Sequence, residues 1–124
     1  MLVLDRILTD RGSRYAVTVA PAADRAAAQT AVAALCRKGK FRRATHHSWA
    51  LMTAAGESLG DDDGEAGAAA ILRAELEAAG LTGHAVIVTR WFGGTQLGGD
   101  RFRHIRTCAR EGIAAWRAGQ RTDP

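Results

Sequence analysis

Residues 84–105 read His-Ala-Val-Ile-Val-Thr-Arg-Trp-Phe-Gly-Gly-Thr-Gln-Leu-Gly-Gly-Asp-Arg-Phe-Arg-His-Ile. Residues 85–88 form a short, β-branched apolar run, which predicts a strand covered on both faces. The loop after this strand contains four glycines, which tolerate backbone angles that a side chain forbids: Gly93, Gly94, Gly98 and Gly99. Asp100 can then accept hydrogen bonds from the free N–H groups of a following helix. We therefore expect a functional surface where the strand passes into the helix.

Two further strands and one loop are predicted before this segment. Tyr15 and its neighbours alternate between apolar and small residues, which predicts a half-buried strand over residues 13–20. A second strand is predicted over residues 45–52. Residues 53–65 are rich in glycine and aspartate, and their composition predicts a loop.

Three helices are predicted from apolar residues at helical spacing. The first begins after Asp24 as its N-cap and is closed by Gly39. The second has its apolar stripe over residues 69–79, and the third over residues 102–116. Because strands and helices alternate along the chain, the sequence predicts an α+β fold with a small mixed sheet backed by helices.

The length of 124 residues fits one domain over residues 1–124. Hydrophobic residues make up 47% and charged residues 24%, which is ordinary for a globular protein. No apolar run approaches the roughly 20 residues that cross a bilayer, and the N-terminus lacks the pattern of a secretion signal. We therefore expect a cytoplasmic protein without a membrane partner, in which Cys36 and Cys108 are free thiols.

Positive charge is concentrated in the first half of the chain. Residues 1–60 carry nine Lys or Arg against four Asp or Glu, whereas residues 61–124 carry eight against nine. The densest cluster consists of Arg37, Lys38, Lys40, Arg42 and Arg43. Its place at the predicted end of the first helix explains part of the cluster, since cations suit the helix dipole there. Five cations in seven residues exceed that need, which favours a surface for phosphate or an acidic partner.

The third helix carries a second concentration of arginines. At 100° per residue they lie on one side of the apolar stripe and form a ridge of Arg103, Arg106, Arg110 and Arg117. Two interpretations stay open, a solvated helix face and a surface for an acidic protein or a nucleic-acid backbone. His104 and Cys108 are placed away from the stripe, facing solvent or a partner. With no second Cys or His pair at metal spacing, we expect neither a metal nor a cofactor.

Three stretches of the sequence contain residues that could form a chemical site. Gly93 and Gly98 have the spacing of a phosphate-binding loop, but the required Lys is missing and the carboxylate of Asp100 takes the place of a phosphate. The acidic run over residues 61–65 is better explained by helix capping than by a metal ion. A catalytic set of His46 and Asp63 with Ser48 or Cys108 lacks any activating context, so we expect no enzyme.

Three motifs occur together in a specific order. They are Thr45-His46-His47-Ser48-Trp49-Ala50, then Asp62-Asp63-Gly64-Glu65, then Val88-Thr89-Arg90-Trp91-Phe92-Gly93-Gly94 with Leu97-Gly98. In this order they resemble the IMPACT family, which includes the bacterial YigZ-like proteins. The resemblance extends from about Ser13 to about Ile113. Residues 100–105 resemble the eukaryotic branch more than the bacterial one.

The resemblance implies both a fold and a role. The fold is like that of domain IV of elongation factor G and of ribosomal proteins, a four-stranded sheet with helices on one side. Bacterial relatives commonly add a ferredoxin-like second domain, and we expect none after this Impact N-terminal-like domain. Eukaryotic relatives bind the large ribosome-associated activator of the amino-acid-starvation kinase and restrain phosphorylation of initiation factor two. They are not established enzymes.

The leading hypothesis is a non-enzymatic regulatory protein of translation or stress, which meets a translation-associated protein through the third helix and the glycine loop. The residues expected to bind are His46, Asp63, Glu65, Arg90, Trp91, Gly93, Gly94, Asp100, Arg103, His104, Arg106 and Arg110. Asp63 and Glu65 are expected to order a helix start, and to form a polar cluster with His46 and Arg90 if the two loops converge. An RNA-binding or ribosome-binding module is the alternative, and a small hydrolase is third.

Overall fold

The computed structural model describes residues 1–120, so the last four residues of the predicted domain lie outside the description. Its elements are β1 (Leu2–Asp10), β2 (Ser13–Pro21), α1 (Arg25–Leu35), α2 (Gly39–Arg42), β3 (His46–Met52), β4 (Ser58–Asp61), α3 (Ala68–Ala79), β5 (His84–Trp91) and α4 (Asp100–Gln120). The α+β class predicted from the sequence is confirmed. No helix in this range is long and apolar enough to cross a membrane.

The sheet has five strands within residues 1–120, in the order β1-β2-β5-β3-β4, and every neighbouring pair is antiparallel. The expected four-stranded mixed sheet is therefore wrong in strand number and in direction. The two strands that composition did not reveal are the edge strands β1 and β4. An edge strand pairs on one side only and is partly exposed, so it lacks the apolar pattern of a central strand. Residues 58–61 pair with β3 although their composition predicts a loop.

Helices cover both faces of the sheet, which corrects the expected one-sided arrangement. On one face α3 and α4 pack in a core that includes Tyr15, Val17 and Leu72. On the other face α1 and α2 pack in a core that includes Leu35 and Ile87. The central strands β2 and β5 are buried along most of both faces, so each face requires its own helical cover. The strand over residues 13–20 is accordingly buried rather than half-buried.

Helix ends follow side-chain and glycine signals, with two corrections. Asp24 accepts a hydrogen bond from the N–H of Ala27 (2.8 Å), as expected of the α1 N-cap. However, α1 ends at Leu35, and Gly39 begins the short helix α2 instead of closing α1. The start of α3 is capped by Asp62, which accepts from the N–H of Ala69 (2.8 Å). The side chains of Asp63 and Glu65, the two acids expected to do so, do not have that role, although the carbonyl of Glu65 accepts from the N–H of Ala68 (3.0 Å).

The long helix α4 buries a wider arc than its apolar stripe indicates. It packs against β1, β2, β5 and α3. His104 and Cys108, expected to face solvent or a partner, are therefore buried. Cys36 and Cys108 are both free thiols, as predicted.

Candidate functional site

A cleft of about 530 Å³ lies where the starts of β3, α3 and α4 meet the end of β5 and the glycine loop. We call it the motif cleft, because each of the three sequence motifs contributes to its walls. The residues that line it include His46, Glu65, Arg90, Phe92, Gly98 and Arg101. A separate groove of about 480 Å³ lies between α3 and the second half of α4.

A buried carboxylate shared by two guanidinium groups lies in the wall of the cleft. Glu65 is in the turn before α3, Arg90 is near the end of β5, and Arg101 is in the first turn of α4. Nη1 of Arg90 donates to both carboxylate oxygens of Glu65 (3.1 and 3.2 Å), and Nη1 of Arg101 donates to Oε2 (3.1 Å). Glu65 and Arg90 are 4% and 5% exposed. The group of three carries a net charge of +1.

His46 and Asp63 are held beside this group by main-chain contacts. The Nδ1 atom of His46 is 2.8 Å from the carbonyl oxygen of Asp63. Because a carbonyl only accepts, Nδ1 carries the proton, and Nε2 lies 4.0 Å from Oε2 of Glu65. The carboxylate of Asp63 accepts from the N–H of His47 (2.7 Å). The structure thus brings His46, Asp63, Glu65 and Arg90 together. The carboxylate of Asp63 fixes the start of β3 through its bond from the His47 N–H.

The glycine loop is attached to the β1–β2 turn by a very close backbone approach. A Cβ atom added at Gly93 would lie 2.0 Å from the carbonyl carbon of Gly12. Gly94 has a φ of +92°, in the left-handed region. Trp91 is 8% exposed, and its Nε1 donates to the carbonyl of Lys40, so it belongs to the core. The next residue, Phe92, is 44% exposed at the rim of the cleft.

Asp100 and His104 belong to an ionic network outside the motif cleft. Asp100 is the first residue of α4, and its carboxylate pairs with Arg11 in the β1–β2 turn and with Arg103 (3.6 Å). Nε2 of His104 lies 2.7 Å from Oδ2 of Asp10. Hydrogen bonds from Arg11 and His104 hold the pKa of Asp10 well below its usual range. These contacts give both residues a structural partner. The carboxylate of Asp100 therefore pairs with arginines, whereas the sequence predicts that it caps the free N–H groups of the helix.

The arginine ridge of α4 forms ion pairs with acids and a hydrogen bond with the end of α3. Glu75 on α3 accepts from Arg110 (3.0 Å) and lies 3.7 Å from Arg106. Arg117 donates to the carbonyl of Ala79 at the end of α3. A helical wheel considers one helix alone, so it cannot reveal an acid on a neighbouring helix. Glu75 and the end of α3 therefore compensate part of the positive charge of the ridge.

The cluster around α2 divides into one paired and four unpaired cations. Lys40 pairs with Asp5 and lies over the Trp91 ring (5.6 Å). The other four are exposed, and none has a carboxylate within 4.0 Å in the described part of the chain. We call them the α2 basic patch: Arg37, Lys38, Arg42 and Arg43.

The structure does not bring Ser48 or Cys108 into a catalytic set with His46 and Asp63. Ser48 is buried, and its hydroxyl donates to the carbonyl of Asp62 (2.8 Å). Cys108 is buried in the core under α4, and its burial raises the pKa of the thiol to about 12. Neither side chain lines the cleft beside His46. No group of three or more His, Cys, Asp or Glu within residues 1–120 could hold a metal ion.

Of the residues that line the cleft, only His46, Glu65 and Arg90 are among the predicted binding residues. The two other large side chains that the site uses are Arg101 and Phe92. Arg101 follows the expected cap residue Asp100, where a positive side chain has no helical role, and strand alternation does not extend beyond the end of β5 to Phe92. Its place between Trp91 and Gly93, at the edge of a glycine loop, was the available signal.

Comparisons with known proteins cover most of the chain. Residues 11–113 match the Impact N-terminal domain. The protein IMPACT homolog of Saccharomyces cerevisiae is 34% identical over 117 residues, which are 90% of this chain and 45% of that protein. The solved structure of the two-domain translational regulator Yih1 is 32% identical with a TM-score of 0.54, over 87% of this chain and 44% of that one.

A crystal structure of a hypothetical protein has the same fold. Its TM-score is 0.79 at 24% identity, over 90% of this chain and 57% of that one. The chain therefore spans only about half the length of the relatives it matches.

Proposed function

This chain belongs to the IMPACT family through its Impact N-terminal domain, and from that premise we propose that it is a regulatory protein of translation that acts in the cytoplasm by binding a protein partner. The observation that carries the proposal is the likeness to Yih1, a translational regulator, over 87% of this chain. We extend the proposed role to regulation under stress.

The chemistry of the motif cleft supports recognition over catalysis. A general acid or base needs a proton-transfer position within hydrogen-bond reach of a substrate. Glu65 is instead committed to Arg90 and Arg101. Nε2 of His46, the ring nitrogen left free by the bond from Nδ1 to a carbonyl, has no nucleophile beside it among residues 1–120, since Ser48 is bonded to a carbonyl and Cys108 is in the core. These groups fix the shape and charge of the cleft walls. A fixed surface of this kind suits binding without turnover.

The proposed contact surface is the rim of the cleft around Phe92. Among residues 1–120, Phe92 and Met1 are the exposed large hydrophobic residues. An aromatic side chain in the centre of an interface can provide much of the binding energy. The loop backbone at Gly93 is fixed against Gly12, so Phe92 is presented from a rigid base. A preorganised aromatic anchor loses little conformational entropy on binding.

Affinity capture tests this proposal. Proteins are captured from a cell lysate, with and without nuclease, on the intact chain, on Phe92→Ala and on the control Gln29→Ala. Gln29 is exposed on α1, on the opposite side of the sheet. We expect the intact chain and the control to retain a protein of the translation apparatus. Phe92→Ala should retain about 30-fold less, since a central anchor contributes about 2 kcal/mol or more. Retention of RNA alone, lost with nuclease, contradicts the proposal.

The second candidate function is RNA binding, favoured by the four unpaired cations of the α2 basic patch. Cations without carboxylate partners can neutralise phosphates, and log K should then fall with log salt at a slope of about −3 for four single-strand contacts. Reversal of Arg42 and Arg43 to Glu should abolish binding. Reversal of Arg25 and Arg73 to Glu makes the same change in net charge elsewhere and should weaken binding far less. Equal losses in the two double variants would show that only net charge matters.

A further inference from the structure

We propose that the motif cleft binds a small ligand through an oxyanion group, a phosphate or a carboxylate, held by Arg90, Arg101 and the glycine loop. The proposal goes beyond the contact with a protein partner, which uses the rim. It concerns the interior of the cleft, and it stands whether or not the partner surface is correctly assigned.

The walls of the cleft carry an excess of positive charge. Its wall holds two guanidinium groups and one carboxylate, so Glu65 cannot neutralise both Arg90 and Arg101. Arg90 is 5% exposed, and a buried excess positive charge is costly unless an anion accompanies it. An anionic group in the cleft would complete the neutralisation that Glu65 begins.

Arg90 has hydrogen-bonding capacity that its neighbours in the described range do not use. A guanidinium has five N–H donors. Both bonds to Glu65 come from Nη1, and Nη2 reaches only the hydroxyl of Ser13, at 3.4 Å. The Nε atom is buried and has no acceptor within residues 1–120. Buried donors without acceptors are rare in folded proteins, and a bound ion is one of the recognised explanations for them.

The backbone of the glycine loop adds N–H donors beside these guanidinium groups. Gln96 and Gly98 line the cleft, and the structure shows no acceptor for either N–H within the described range. The positive end of α4 begins two residues after Gly98. Free N–H groups and a helix N-terminus together favour an anion.

From the sequence alone, the carboxylate of Asp100 is expected where an anion would sit. In the structure that carboxylate pairs with Arg11 and does not line the cleft.

The size of the cleft indicates a small molecule. Its volume of about 530 Å³ lies within the range of roughly 300–1,000 Å³ that is usual for small-molecule sites. The exposed ring of Phe92 supplies an apolar wall for the part of the ligand that carries no charge. No residue of the α2 basic patch lines the cleft, so the proposed site is distinct from the RNA-binding candidate.

The test is a titration of the ¹⁵N-labelled full chain, followed by amide NMR, with inorganic phosphate, succinate and adenosine monophosphate. We expect saturable shifts at residues 94–99 and at Gly64, with a dissociation constant on the order of 1 mM for inorganic phosphate. Adenosine monophosphate should bind about tenfold more tightly if its ring packs against Phe92. A stronger response to succinate would identify a carboxylate as the bound group.

Variants separate a specific site from general charge. Arg101→Gln should weaken phosphate binding at least about tenfold, since it removes a charge-assisted donor. Arg101→Lys should restore part of the affinity. The control Arg73→Gln removes the same charge from an exposed position on α3 and should leave the affinity within about twofold.

Two results would overturn the proposal: no saturable shift in the intact chain, or shifts centred on residues 37–43. The intact chain decides this even if a variant fails to fold. Because the capture experiment uses no added ligand and a different variant, a failed titration leaves the partner proposal standing. Conversely, a failed capture leaves the anion site standing.

Discussion

Individual residues in this protein owe their roles to close tertiary neighbours. At Gly93 the chain passes so near Gly12 that a Cβ atom would lie 2.0 Å from its carbonyl carbon. We predict that Gly93→Ala lowers the free energy of unfolding by about 3 kcal/mol, since the backbones must separate. Gly99→Ala is the matched control, because nothing lies within 4 Å of its added Cβ. Urea unfolding of both variants measures the difference, and equal losses would contradict it.

His47 is held neutral by its surroundings. Burial lowers its pKa from the ordinary value of 6.5. Nε2 lies 2.8 Å from the carbonyl of Phe41, which only accepts, so Nε2 donates and Nδ1 accepts from the hydroxyl of Thr89 (2.9 Å). Below pH 6.5 the unfolded chain binds the proton more readily than the folded one does. Stability should therefore fall as the pH falls below 6.5 towards the lowered pKa.

The variant His47→Gln isolates this effect. We predict that the melting temperature of the natural chain drops between about pH 7 and pH 5, and that the variant shows a smaller drop because it cannot take up the proton. The slope with pH is the readout, because the variant is expected to be less stable at every pH. Identical slopes would mean that His47 does not control the dependence.

At the scale of elements, an acid on α3 compensates part of the positive charge of the arginine ridge on α4. Glu75 on α3 contacts both Arg106 and Arg110. We predict that Glu75→Gln changes the free energy of unfolding by less than about 1 kcal/mol, as is usual for exposed ion pairs. The same change should strengthen binding to heparin, because the ridge loses its acidic partner. Elution at a higher salt concentration measures this.

Glu77→Gln is the control for the ridge. It removes the same charge from an exposed position on the same helix, and no cation pairs with Glu77 in the described part of the chain. If both variants elute alike, net charge alone explains heparin binding and the pairing by Glu75 is irrelevant to it.

The whole molecule has one sheet between two helical layers, so the two cores share their central strands. Leu35 and Leu72 are fully buried on opposite faces. We predict that Leu35→Ala and Leu72→Ala each cost about 2–5 kcal/mol, the usual range for a buried leucine. Each variant should still unfold in one transition, because β2 and β5 cannot be lost from one core alone. Circular dichroism and tryptophan fluorescence should then report the same midpoint, and separate midpoints would contradict the prediction.

Local patterns alone established much of this molecule. Apolar alternation predicted the strand over residues 13–20, a continuous apolar run predicted the strand at residues 85–88, and Asp24 predicted the cap of α1. The three motifs predicted the family, which the match over residues 11–113 confirms. Each of these signals lies within a few residues, where backbone preference and side-chain spacing act directly.

Contacts between distant residues required the tertiary structure. Glu65 meets Arg90 and Arg101 across 25 and 36 positions of the chain, and Glu75 on α3 pairs with Arg106 and Arg110 of the ridge on α4. The edge strands β1 and β4, the burial of His104 and the second helical layer likewise depend on what packs alongside each element. Spacing within a segment specifies which face of the segment is apolar. Only the packed fold specifies which partner covers that face and which charges meet, because those energies depend on distance in space rather than along the chain.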